Sequence, residues 1–88
     1  MTTNAIPRYT VYTKPGCGQC EKTKDYFDAK GITYRCVDIT EVPAELLYIT
    51  EELGYSQVPV IVSSADDQDH WAGLRRDKLV QAYMNQAA

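Results

Sequence analysis

Tyr9-Thr10-Val11-Tyr12-Thr13-Lys14-Pro15-Gly16-Cys17-Gly18-Gln19-Cys20 is the stretch that decides how this chain reads. Its first five residues are β-branched or aromatic and predict a strand. Lys14-Pro15-Gly16 breaks that strand. Beyond it, Cys20, Thr23 and Phe27 recur at three- and four-residue steps, which is one face of a helix. Gly31 suits a left-handed residue closing that helix. Two thiols separated by two residues, between a strand and a helix, read as a redox dithiol.

Outward from this centre the pattern continues. Residues 32–39 alternate, with Tyr34 and Cys36 on one side and Val37 and Ile39 on the other, so a second strand is expected. A second helix is expected over 43–53. Thr40 or a neighbour would cap it, Pro43 would occupy its first turn and Gly54 would end it. Val42, Leu46, Ile49, Thr50 and Leu53 would form its apolar stripe. Residues 57–62 read as a third strand, with Pro59 near its start because proline cannot donate to a ladder. A polar connection over 63–69 leads to a short strand, His70-Trp71-Ala72, broken by Gly73. A closing helix runs from Asp77.

The order is β-α-β-α-β-β-α, read as a single domain over 1–88 with a loose polar leader over 1–7. A strand, helix and strand in one sheet favour a parallel crossover. The last two strands, tightly linked, should be antiparallel. The expected fold is α/β and thioredoxin-like: a four-stranded mixed sheet flanked by three helices.

Eighty-eight residues leave room for one core. Nine basic against twelve acidic residues, net −3, argue against general nucleic-acid binding. The leader does not resemble a signal peptide, and no apolar run approaches the ~20 residues that span a bilayer. These features give a cytoplasmic expectation, with no membrane partner and thiols kept reduced. Three cysteines fit a catalytic pair plus one spare better than a disulfide framework.

A free cysteine with a pKa of ~8.5 is only slightly ionised at neutral pH, and lowering it to about 7 needs about 2 kcal/mol. The field of a helix start supplies typically ~0.3–1 kcal/mol, up to about 2 when partly buried. Lys14 and N–H or S–H bonds within the motif are the supplements. Residues three apart on a regular helix hold β-carbons ~5–6 Å apart, whereas a disulfide needs about 3.5–4.5 Å. Cys17 must therefore sit half outside the first turn. It is expected as the attacking thiol, with Cys20 resolving the mixed disulfide. A competing class is a metal or iron–sulfur module. Structural zinc needs four ligands, however, and only Cys36 and the lone His70 remain to complete the set. No metal ligand is assigned.

The cysteine pair after strand one, Pro59 before strand three and the element order resemble the glutaredoxin branch of the thioredoxin superfamily. The stretches Val11 to Cys20, Gln57-Val58-Pro59-Val60-Ile61 and His70 to Asp77 further resemble NrdH-type redoxins, the glutaredoxin-like electron donors to class Ib ribonucleotide reductase. In that family the last stretch typically reads Trp-Ser-Gly-Phe-Arg-Pro-Asp. Trp71, Gly73, Arg75 and Asp77 match it, while Ala72, Leu74 and Arg76 depart. On its own Pro59 reads as a plain edge-strand proline. The resemblance instead implies a cis Val58–Pro59 bond that leaves the Val58 main chain free to pair with an extended substrate.

It further implies substrate or partner contacts at Gln57, Val58, Pro59, Trp71, Gly73, Arg75 and Asp77, and no bound cofactor beyond the Cys17–Cys20 disulfide. Electrons would come from NADPH through a flavoprotein, thioredoxin reductase, to a monomeric carrier. A glutathione-dependent glutaredoxin is the alternative within the same chemistry. Cys36 is expected as a half-buried strand residue, Tyr12 as ordinary strand packing, Trp71 as either sheet packing or part of a partner surface, and Asp66, Asp67 and Asp69 as a soluble turn.

Overall fold

The computed structural model describes residues 7–87, without the side chains of 86 and 87. The leader, apart from Pro7, lies outside the described residues. The elements are β1 (Tyr9–Thr13), α1 (Gly18–Lys30), β2 (Tyr34–Asp38), α2 (Pro43–Leu47), a π-helical turn (Tyr48–Glu52), β3 (Val60–Ser63), β4 (His70–Ala72) and α3 (Arg76–Ala87). The sheet order is β2-β1-β3-β4. β1 runs parallel to β2, and β3 runs antiparallel to both β1 and β4. This is the thioredoxin-like mixed sheet with three helices.

Strand alternation divides the core in two. Tyr9 and Val11 of β1 and Ile61 of β3 face α1 and α3, where they meet Phe27, Ile32, Trp71, Leu79 and Ala82. Tyr12, Val60 and Val62 face the other way and pack with Val37 and Ile49. Both sheet faces are thus covered.

α1 follows its predicted stripe: Cys20, Thr23 and Phe27 are all fully buried. The buried Thr23 hydroxyl donates to the Gln19 carbonyl at 3.0 Å, so it leaves no unmet polar group. Gly31 closes the helix at φ 68°, and the Ile32 N–H reaches the Phe27 carbonyl at 2.9 Å.

The second helix departs from expectation. α2 is five residues long and passes into the π-helical turn, in which the Leu53 N–H bonds the Tyr48 carbonyl at 3.1 Å. The Thr50 hydroxyl bonds back to the Leu46 carbonyl at 2.9 Å, an interaction that loosens a helical ladder. The wider turn breaks the stripe: Ile49 is buried, but Val42 and Leu46 remain exposed. Thr40 does not cap this helix. Its N–H and hydroxyl are both spent on Asp38 Oδ1, at 2.8 and 2.6 Å, and the capping position is Val42 with no side-chain bond.

β3 begins only after Pro59, which has no N–H for the ladder. Cys36, expected to be half-buried, is exposed on β2, an edge strand of the sheet.

Candidate active site

β1 ends at Thr13, and the Lys14-Pro15-Gly16 turn, with Gly16 at φ 77°, swings the chain into α1. Cys17 is the residue before the helix, extended at φ −94° and ψ 103°, outside the first turn as the disulfide geometry required. Cys17 and Cys20 are disulfide-bonded, with Cα atoms 5.2 Å apart. The Cys20 N–H donates to the Cys17 sulfur at 3.1 Å. A donor at that atom favours its thiolate over its thiol, and it acts together with the field of the helix start. The two sulfurs differ in access: Cys17 is half-buried, while Cys20 is fully enclosed behind it.

The Val58–Pro59 peptide is cis. It places the Val58 carbonyl 3.9 Å from the Cys17 sulfur, within reach of a Cys17 S–H when the pair is reduced. The Pro59 carbonyl accepts the Gly73 N–H at 2.8 Å, which ties the turn after β4 to this loop. Gly73 itself sits at φ 85°, where a side chain would be strained.

The remaining expected site residues spread further. Lys14 is exposed, its ammonium has no hydrogen-bond or ion-pair partner among the described residues, and it lines a cleft beside Val58. That cleft is also lined by Leu46, Ile49, Tyr55 and Gln57. Arg75 grips Asp77 through two bonds of 3.0 and 2.8 Å. This pairing lowers the Asp77 carboxyl to about 2.

Trp71 takes the first of the two roles left open for it, packing on the sheet rather than lining a partner surface. It is 3% exposed, its ring meets Tyr9 edge-on at 5.8 Å, and it belongs to the core beneath α1 and α3. β4 alternation turns it inward, where its large apolar ring gains most from burial. Tyr12 packs against Tyr48 at 6.1 Å in the opposite core, and burial, then a bond to Glu45, push its hydroxyl pKa up.

Sequence reasoning missed Tyr55 and Leu46 at the cleft, and Gln19 beside Gly73. Tyr55 is held by a 2.7 Å bond between its hydroxyl and His70 Nδ1, a link between segments that no local pattern announces. Gln19 lay in plain view between the cysteines.

Among the described residues, no three His, Cys, Asp or Glu side chains gather as a metal set. Cys36 on β2 and His70 on β4 sit on opposite edges of the sheet, so the donors a zinc reading needed are not brought to the pair. No helix among the described residues is long and apolar enough to cross a membrane.

Comparison with known proteins agrees with this geometry. The Glutaredoxin family model matches residues 9–69. The gene 56 protein of Mycobacterium phage L5 is 44% identical over 70 residues, covering 80% of this chain and 66% of that protein. The glutaredoxin-like protein NrdH of Escherichia coli K12 is 32% identical over 72 residues, covering 82% of this chain and 84% of that one. The solved structure of Escherichia coli NrdH-redoxin, a protein with a thioredoxin-like activity profile, superposes with a TM-score of 0.72 at 28% identity. It covers 84% of this chain and 92% of that one. With a cysteine pair at the start of α1, a cis-proline loop facing it and these relatives, the chain belongs to the glutaredoxin family of thiol–disulfide oxidoreductases, in its NrdH-type glutaredoxin-like branch.

Proposed function

We propose that this protein is a dithiol electron carrier that reduces protein disulfides. The observation that carries the reading is the asymmetry of the pair: a half-buried Cys17 whose sulfur receives an N–H bond, and a fully buried Cys20. In the reduced protein the Cys17 thiolate attacks one sulfur of a substrate disulfide. The other substrate sulfur leaves as a thiolate and takes up a proton. Cys20, losing its proton, then attacks the Cys17 sulfur of the mixed disulfide and releases the second substrate thiol. Two electrons and two protons pass to the substrate, and the Cys17–Cys20 disulfide remains.

Recharging that disulfide takes two electrons. We assign them to NADPH by way of thioredoxin reductase, in keeping with the thioredoxin-like activity profile of the Escherichia coli relative. The electron acceptor in this reading is class Ib ribonucleotide reductase, the protein a monomeric cytoplasmic carrier, and Val58, Pro59 and Gly73 the main-chain platform for the partner. Lys14, at the cleft beside Val58, supplies positive charge near the thiolate.

The test is NADPH-coupled disulfide reduction, with thioredoxin reductase in one reaction and glutathione plus glutathione reductase in another. Turnover with thioredoxin reductase alone is expected, and Cys17→Ser should fall to the blank. Cys20→Ser should accumulate the mixed disulfide, visible by mass spectrometry. Turnover with glutathione alone would make the protein a glutathione-dependent glutaredoxin, and activity in neither would reject electron transfer by this pair.

A further inference from the structure

The segment that brings Val58 to Cys17 is held at its ends. Among the described residues, Ser56, Gln57 and Val58 make no hydrogen bond to another backbone group. Beyond them the Pro59 carbonyl accepts the Gly73 N–H at 2.8 Å. Before them stands Tyr55, whose N–H donates to the Ile49 carbonyl at 2.9 Å. From Tyr55 one fastening reaches across the fold. Its hydroxyl lies 2.7 Å from His70 Nδ1 and 3.4 Å from the His70 carbonyl, and the two rings meet edge-on at 5.5 Å. His70 is itself anchored, because it pairs with Val62 in the β3–β4 ladder and Val62 pairs with Thr10 of β1. A side-chain bond thus ties the near end of the segment to the sheet.

The half-buried Tyr55 ring packs against the second core, so apolar contact alone already seats it. The hydroxyl adds direction. Its bond is available in either protonation state of the imidazole: the O–H donates to a bare Nδ1, and the oxygen accepts from a protonated one. It is therefore a fastening and not a pH switch. What it fastens bears on the chemistry. The Val58 carbonyl, three residues further on, lies 3.9 Å from the Cys17 sulfur. A carbonyl there accepts the S–H of the reduced thiol and sets its negative end against the thiolate, so it works against ionisation. The Cys20 N–H at the same sulfur works for it. The balance between the two holds only while the carbonyl stays in place.

We propose that Tyr55 and His70 are positioning residues: their bond fastens the segment before Pro59 to β4, holds the Val58 carbonyl at the Cys17 sulfur and so restrains formation of the thiolate. The inference rests on the reading above that Cys17 is the attacking thiol. It adds two residues that touch neither sulfur and act on it through Val58.

The experiment alkylates the fully reduced protein with iodoacetamide across the pH range in which cysteine ionises, and reads the label on each cysteine by peptide mass spectrometry. Wild type is compared with Tyr55→Phe, His70→Leu, the double variant and His70→Asn. Phenylalanine keeps the packed ring and removes the hydroxyl. Leucine removes the acceptor, whereas asparagine returns an oxygen near the place of Nδ1. Urea unfolding verifies that each variant is folded at the start. Cys36, on β2 at the opposite edge of the sheet from His70, is the internal reference. In Tyr55→Phe and His70→Leu the Cys17 rate profile should move to lower pH. On the acid side of its midpoint Cys17 should react about threefold faster, the scale of one lost hydrogen bond. The double variant should go no further than either single one, because both remove the same bond. His70→Asn should behave as wild type, and the Cys36 rate should not change.

A Cys17 profile that stays in place in both single variants overturns the proposal. So does a His70→Asn profile equal to that of His70→Leu, or a rise at Cys36 matching that at Cys17, which would mean general loosening. Label arriving on Cys20 ahead of Cys17 in the wild type would instead defeat the attacking-thiol reading, and the inference with it.

Discussion

On one face of the sheet, α1 and α3 run 13 and 12 residues and enclose Phe27, Trp71 and Leu79 almost completely. On the other, no residue of α2 is buried and the π-helical turn buries only Ile49. The redox pair belongs to the first face, since Cys20 continues the buried stripe of Thr23 and Phe27. The cleft beside Val58 belongs to the second, where Leu46, Ile49 and Tyr55 line it. Bond exchange between sulfurs demands fixed geometry, which a close-packed face supplies. The molecule places its chemistry on the firm side and its cleft on the open side.

That division can be broken most directly at Phe27. Phe27→Ala, at a fully buried site stacked 5.3 Å from Tyr9, should cost about 3–5 kcal/mol in urea unfolding. A loss under about 1 kcal/mol would mean that this face is not the firm one. The contrasting change is Leu47→Lys on the open face. With its side chain mostly in solvent, stability should move by no more than about 0.5 kcal/mol. A loss comparable to that of Phe27→Ala would remove the difference between the faces.

The smallest effect concerns charge at the start of α3. Arg75 holds the Asp77 carboxyl at about 2, below its ordinary 3.8. A carboxyl with a lowered folded-state pKa is protonated more readily in the unfolded chain. Its stabilising contribution is therefore present above the ordinary value and is lost as pH falls through about 2. Both side chains lie in solvent, so the pair adds little to stability at neutral pH. NMR titration should place the Asp77 midpoint near 2 in the wild type and move it toward 3.8 in Arg75→Ala. A wild-type midpoint already at 3.8 would show that the pair does not persist in solution.

Most of the fold was legible because its signals are local. The strand before Cys17, the three-four spacing of Cys20, Thr23 and Phe27, and the glycine closing α1 each reflect the backbone's own periodicity and turn chemistry. The second helix was misjudged because its stripe met the helical template, while the π-helical turn depends on Thr50 bonding back to Leu46 and on what Ile49 packs against. Cys36 was misjudged for a related reason: alternation tells which side of a strand a residue takes, not whether a layer covers it there. For Trp71 the sequence left sheet packing and a partner surface both open, and β4 alternation turns it into the core.

By itself the sequence determined the element order, the parallel pairing of the first two strands, the antiparallel pairing of the last two, and a reactive pair that had to straddle a helix start. Those follow from steric periodicity and the reach of a disulfide, which act over a few residues. Only the tertiary structure decided that the Val58 carbonyl faces Cys17, and that Cys20 is fully buried while Cys17 is half-buried. These are contacts between segments far apart along the chain. They are set by how the two cores pack against one sheet, and no local pattern encodes them.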